Sequence, residues 1–351
     1  MSAMARPWRG WLAVGSLGLL LAPPPACAEV LLPPGFSAQS YVTGSGFNQG
    51  SAPVAHGFPA ASTLAFDHRG ILYLARTGRR YLGGDVDGLT PIYRVPLGGA
   101  RLTVDTEQRY FYGPPLWNPQ VATVQAGREL YITTFDRDRK VGVLYRIIDG
   151  RAELVAGGTP PPGAPPLLRQ PEGVAADSAG RIYVADRDHG VIVRLDASGR
   201  VLDSRWASVR RPRLLAIDDK DQVWIGADGD AEAPWQRGPG EIWRVTPEGA
   251  ATLVLRGPIP AGMGLGPGGQ LFVADRQGAK IFFLGPDGRV GEFAGFTEGD
   301  APRGLGFAPV TPETRRAGIA GDLFVTTIRQ SAWSTNEVVR ISGPFDDLRA
   351  R

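Results

Sequence analysis

Six times along the chain, a short apolar run is followed by a tight polar turn and then by a second run carrying a central aromatic residue. The full form of the start is Pro-x-Gly, as in PEGVAADSAGRIYVAD from Pro171. The other copies are ASTLAFDHRGILYLA (61–75), PQVATVQAGRELYITT (119–134), PRLLAIDDKDQVWIGA (212–227), PAGMGLGPGGQLFVAD (260–275) and PRGLGF…GDLFVTT (302–327). A third apolar run follows each: 91–95, 141–147, 190–195, 241–245, 280–284 and 337–341. Short β-branched and aromatic runs between turn signals predict consecutive antiparallel strands. One such meander cannot bury both of its faces, so it must stack on its neighbours. Repetition at this period predicts an all-β, six-bladed β-propeller.

The first 28 residues stand outside the repeat. Arg6 and Arg9 precede an apolar run from Trp11 to Ala22, and Ala26-Cys27-Ala28 offers a small-x-small cleavage site before Glu29. This pattern predicts a secretory signal peptide, with an apolar run too short to span a bilayer, and a secreted or periplasmic mature protein. Cys27, the sole cysteine, leaves with it; a lipid anchor on Cys27 is the alternative. The remaining chain, 29–351, reads as one propeller domain with blades near 61–104, 119–156, 171–206, 212–256, 260–296 and 302–343. Residues 36–42 alternate like a strand but belong to no complete meander. They are expected to pair with the last blade and close the ring, which removes two exposed edges.

Charge excludes one class of partner. Without Arg6 and Arg9 the 38 basic residues become 36, against 35 acidic ones. A chain so nearly neutral, with no basic run, has no footprint for nucleic acid. No transmembrane span is expected, and the protein reads as a monomer.

Loop lengths separate the two faces. Turns between first and second strands, and between third and fourth, are mostly tight. The insertions 76–90, 105–118, 157–169, 227–240 and 328–336 fall on the opposite face, where a small molecule or a protein partner would bind. The insertion 309–321 is the exception, lying on the far face with no role assigned.

The residue after each blade's opening position starts the innermost strand and is expected to point toward the central channel. By blade these are Ser62, Gln120, Glu172, Arg213, Ala261 and Arg303. Two arginines beside a small alanine could fork onto a carboxylate or phosphate. The competing reading pairs Glu172 with Arg213 as a satisfied structural contact. Tyr112, Trp117, Trp235 and Trp333, with Tyr110 and Phe111 nearby, could wall a pocket or simply pack blades.

Other polar residues read as structural. Asp186 and Asp275 end second strands and are expected to cap the turns that follow. Asp228, Asp230 and Glu232 resemble a calcium loop only loosely, and a solvated loop is expected. His68 sits in a far-face turn, His189 shares the turn after Asp186, and only His56 could approach the long-loop face. Three histidines placed this way give no zinc site.

The units PEGVAADSAGRIYVADRDHGVIVRLDASG and PAGMGLGPGGQLFVADRQGAKIFFLGPDG resemble NHL repeats. The architecture is similar to the six-bladed superfamily of NHL-repeat proteins, gluconolactonase (SMP-30-like) hydrolases and soluble quinoprotein sugar dehydrogenases. The opening LPPGFSAQSYVTG and the closing GDLFVTT…NEVVRISG lean toward the sorbosone and glucose dehydrogenase branch. The lactonase resemblance implies a divalent cation such as calcium, for which Glu172 is the one matching ligand. The quinoprotein resemblance implies pyrroloquinoline quinone clamped by Arg213 and Arg303, with His56 as the base.

Three functions stay open at this stage. The first is a propeller binding a small anionic or carbohydrate-derived ligand, or a partner's carboxylate, through Gln120, Glu172, Arg213 and Arg303. The others are a metal-dependent lactonase-like hydrolase and a quinone-dependent sugar dehydrogenase.

Overall fold

Each inner strand touches the inner strand of the next blade, and the sixth touches the first, so the sheets stand in a ring around a central channel. The computed structural model describes residues 29–49, 52–53, 57–76, 89–124, 127–136, 139–231, 238–297, 299–329 and 336–348. Blade 1 orders its strands Ala61–Phe66, Leu72–Arg76, Thr90–Val95 and Phe111–Leu116. Blade 2 is Gln120–Val124, Glu129–Asp136, Val141–Ile148 and Arg151–Gly157. Blade 3 runs Pro171–Ala176, Ile182–Asp186, Val191–Leu195 and Val201–Ser208, and blade 4 runs Pro212–Ile217, Val223–Ala227, Gly240–Val245 and Ala251–Gly257. Blade 5 adds Val30–Leu31 outside Pro260–Leu265, Leu271–Asp275, Lys280–Leu284 and Val290–Phe296.

Blade 6 draws on three parts of the chain. Asp300–Phe307, Leu323–Arg329 and Asn336–Ser342 are followed by Ser37–Ser45, antiparallel, and then by Ala100–Thr103, parallel. Blade 1 therefore departs from the expected 61–104 span: its fourth strand is Phe111–Leu116. The turn at Gly98 and Gly99 sends the chain across to blade 6 instead of back along its own blade. A Cβ on Gly99 would lie 2.0 Å from the Tyr41 carbonyl oxygen, so only glycine allows this approach. The Tyr41 hydroxyl accepts from the Gly98 amide at 3.2 Å, and Leu102 is buried beside Val42 in the shared core. Glu107 brings the chain home, accepting from the Tyr93 hydroxyl at 2.6 Å and pairing with Arg76 at 3.2 Å.

The repeat has a physical reading. The aromatic in each second strand fills the gap to the neighbouring blade, and Tyr73, Tyr131, Tyr183, Phe272 and Phe324 are all buried there. The glycine of Pro-x-Gly has no side chain because the next blade occupies its place. A Cβ on Gly173 would meet the Arg213 carbonyl oxygen at 2.7 Å, one on Gly262 the Arg303 oxygen at 2.4 Å, and one on Gly304 the Ser62 oxygen at 2.6 Å. Blade 1 has Thr63 at this position, and its hydroxyl accepts from the Val121 amide at 2.9 Å instead. In blades 1, 3, 4, 5 and 6 the pairing slips just after the opening residue, a bulge that re-aims the next side chain.

The insertion 309–321 also acquires a place. Thr311 caps the short helix Pro312–Arg316, and Thr314 and Ile319 bury themselves over Gly70 of blade 1, beside Leu97. Arg340 holds the return by pairing with Asp322 and donating to the Gly318 carbonyl. Blades 6 and 1 are thus tied on the far face as well as at the outer edge. No helix among the described residues is long and apolar enough to cross a membrane.

Candidate functional site

Inner strands pair on one edge only, so their other edge presents backbone amides and carbonyls to the channel. That makes the channel wall polar and hydrated regardless of side chains. The channel holds about 400 Å³ and is lined by the inner strands of all six blades. Its two ends differ. Toward the far end the lining includes Phe66, Ile217, Phe307 and Pro309, whereas the end where the strands begin carries Ser62, Gln120, Glu172 and Arg213.

The ring expected from the residue after each blade's opening position forms at these four positions. Ser62 donates to the Gln120 side-chain oxygen at 3.0 Å, joining blades 1 and 2. Glu172 follows in blade 3 and accepts from the Gln170 amide at 2.8 Å. Arg213 comes from blade 4 and Ala261, beside it, from blade 5. Arg303 stands at the matching start of blade 6, half-buried and already engaged in contacts of its own.

The charge pattern differs from the expected one. Arg213 pairs not with Glu172 but with Asp228, Nε to carboxylate at 2.9 Å, and donates its far end to the Pro260 carbonyl of blade 5. Asp228 is fully buried and its second oxygen accepts from Arg187 Nε at 3.0 Å. The expectation of a solvated loop is thus corrected for Asp228. A single acid placed between two guanidinium groups satisfies both, which is how a buried charge becomes tolerable. Asp230 remains on the surface and pairs with Arg210, while Glu232 lies outside the described residues.

With Glu172 included, the cluster beside the mouth holds two acids, Asp228 and Glu172, and two bases, Arg187 and Arg213. Burial opposes the charge on Arg213, but Asp228 and then Glu172 outweigh it and hold the guanidinium above its usual range. Glu172 is shifted in the same direction, which for an acid disfavours the charged form. It keeps part of its surface open to the channel, yet burial pushes its pKa up. Asp228 adds to that rise, while Arg213, Arg187 and the Gln170 amide oppose it. The two arginines favour their bonded partner over Glu172, leaving its carboxylate a single hydrogen bond among the described residues.

Asp186 is a scaffold residue, but not by capping its own turn. Its carboxylate accepts from the Arg169 and Gln170 amides of the preceding link at 2.9 and 3.0 Å, and it lies 2.7 Å from His189 Nδ1. It thereby fixes the segment that carries Gln170 to Glu172. Asp275 does cap its turn, accepting from the Gly278 amide at 2.8 Å.

The aromatic candidates disperse. Tyr112 belongs to the outer strand of blade 1, packs on Tyr73 at 5.5 Å and accepts from the Gly150 amide. It borders a far-face cleft with His68, away from the mouth. Phe111 and Tyr110 pack against the core, and Trp117 is exposed beside the link into blade 2. Trp235, Trp333 and His56 lie outside the described residues.

Neither resemblance-implied cofactor fits the described donors. No group of three or more His, Cys, Asp or Glu residues among them could hold a metal ion. The lining contains no histidine or lysine; of the two arginines named for a quinone clamp, Arg213 is committed to Asp228 and Pro260, and Arg303 is not among the lining residues.

The NHL repeat model matches residues 168–195, the segment that carries Gln170, Glu172, Asp186 and His189. No curated protein sequence matches the chain. Among solved structures, the PQQ-bound aldose sugar dehydrogenase of Streptomyces coelicolor superposes with a TM-score of 0.55 at 14% identity, over 89% of this chain and 100% of that one. An auxiliary nutrient-binding protein of Bacteroides ovatus gives 0.56 at 12% identity, over 88% and 77%. The nidogen/laminin complex gives 0.50 at 17%, over 73% and 96%. At these identities the likeness shows the propeller fold alone.

Proposed function

We propose that this propeller is an exported binding protein that takes a small, neutral, polyhydroxylated ligand, carbohydrate-derived in class, at the polar mouth of its channel. One observation carries the reading. Arg213, one of the two arginines expected to seize an anion, is paired with Asp228, while Glu172 retains acceptor capacity at a hydrogen-bonding rim. Hydroxyl groups both donate and accept, so they suit a carboxyl, an amide and a hydroxyl set side by side. A sugar can also exchange water for the unpaired strand edges of the channel without leaving backbone groups unsatisfied. The sugar dehydrogenase and the nutrient-binding protein among the fold neighbours are in keeping with this reading. Export rests on the leader pattern of residues 1–28.

The test is a thermal-shift and calorimetric screen of neutral sugars, sugar alcohols and lactones beside sugar acids and phosphates. A neutral ligand at about 100 times its Kd should stabilise the protein by roughly 2.7 kcal/mol. Glu172→Ala should weaken it by about tenfold to a hundredfold, the usual worth of a charged hydrogen-bond acceptor. If the best ligand is an anion, or Glu172→Ala binds as well as the wild type, the reading fails.

A further inference from the structure

Asp228 occupies an unusual position: one fully buried carboxylate that binds guanidinium groups from two different blades. Arg187 reaches it from the turn after the second strand of blade 3, at 3.0 Å, and Arg213 from the inner strand of blade 4, at 2.9 Å. Both arginine side chains are about nine-tenths buried, at 10% exposure each. Glu172 stands within electrostatic reach of all three. The four side chains carry charges that cancel only because Asp228 is present.

We infer that Asp228 is the specificity-determining residue of the mouth, because it sets the charge class of the ligand the mouth admits. The inference rests on the binding site proposed above and adds what the site excludes. With Asp228 in place, the Nε of each arginine is taken by one carboxylate oxygen and the far end of Arg213 by the Pro260 carbonyl, so a carboxylate or phosphate meets guanidinium groups already engaged. A cation finds Glu172 but also two adjacent positive groups, which repel it. A neutral hydroxylated molecule meets neither penalty. Ligand charge is thus selected by an acid that need not touch the ligand.

Changing the acid should change the class. Asp228→Asn keeps the shape but leaves Arg187 and Arg213 facing only Glu172, an excess of one positive charge. It should gain affinity for gluconate and inorganic phosphate by roughly tenfold to a hundredfold over the wild type. Arg187→Gln makes the opposite change, leaving two acids facing one arginine, and should gain affinity for calcium. Equilibrium dialysis with these three probes reads the outcome directly, and thermal shift checks it, since each probe should stabilise only its own variant. A folded Asp228→Asn protein with no gain for either anion overturns the inference, as does a wild type that binds the anions equally well. If Asp228→Asn does not fold, Arg187→Gln decides alone: calcium affinity above the wild type supports the inference, and none overturns it. Binding of neutral sugars by the wild type is scored separately, so failure of the parent reading stays distinguishable from failure of this one.

Discussion

Replacing Gly173 by alanine tests whether blade spacing and the mouth are one mechanical unit. The added Cβ would sit 2.7 Å from the Arg213 carbonyl oxygen, 3.0 Å from the Leu215 amide nitrogen and 3.2 Å from the Leu214 carbonyl carbon. All three are backbone atoms of blade 4, so no side chain can swing aside. Moving 2.7 Å out to an ordinary contact of 3.4 Å requires the two inner strands to separate by about 0.7 Å. Overpacking of this kind costs about 1–3 kcal/mol. Alanine also restricts the unfolded chain, which returns about 0.4–1 kcal/mol. The net loss should appear as a Tm lowered by a few degrees, since 1 kcal/mol moves even a domain of about 150–250 residues by only roughly 2–4 °C. Gly257→Ala is the matched control, because its new Cβ would find nothing nearer than 3.8 Å and its backbone is not left-handed. Denaturant and thermal unfolding of both variants, with ligand affinity measured in parallel, give the assay. The strand that must shift carries Arg213, so Gly173→Ala should lose affinity as well as stability. Equal stability of the two variants would refute the reasoning.

Glu172→Gln should raise Tm at neutral pH, because burial lifts the folded pKa of the acid above its ordinary 4.5. A raised acid stabilises the fold below that ordinary value and loses the contribution as pH rises through the folded pKa, so the advantage of glutamine should vanish in acid. A Tm difference that is flat across pH counts against it. Deleting residues 30–43 removes Val30–Leu31 from blade 5 and most of the fourth strand of blade 6. Two rows of backbone groups lose their partners, and aggregation with a lowered Tm is expected by light scattering and calorimetry; an unchanged monomer is the contrary result.

The fold was legible because its signals are local and repeated. Pro-x-Gly, the tight turn and the second-strand aromatic each act within one blade or on its immediate neighbour, so spacing alone exposes them. The fourth strand of blade 1 was hidden by Pro114 and Pro115, which are tolerated on an edge strand but read as loop. The positions of Gln120, Glu172 and Arg213 at the mouth followed from the same alignment. Asp228 did not, for a reason one residue long. Asp186 and Asp275 lie directly across from the opening prolines Pro171 and Pro260, whereas Pro212 faces Ala227 and the acid falls one place later. That offset made Ala227-Asp228-Gly229-Asp230 look like a surface loop. The partners of a buried acid come from other blades, which no spacing along one strand reveals.

The composite sixth blade sets a schedule for the chain's maturation. Its fourth strand, Ser37–Ser45, emerges among the earliest residues of the domain, yet its partner, Asn336–Ser342, is among the last to be made. Ala100–Thr103 needs that fourth strand in place before it has an edge to join. Blades 2 to 4 can each assemble from contiguous segments as they appear, but the circle must wait for the whole span from Ser37 to Ser342. Such distant pairing is slow, since loop entropy is lost before the contact is gained. A ring arranged this way stays open until Asn336–Ser342 has been made and has met Ser37–Ser45.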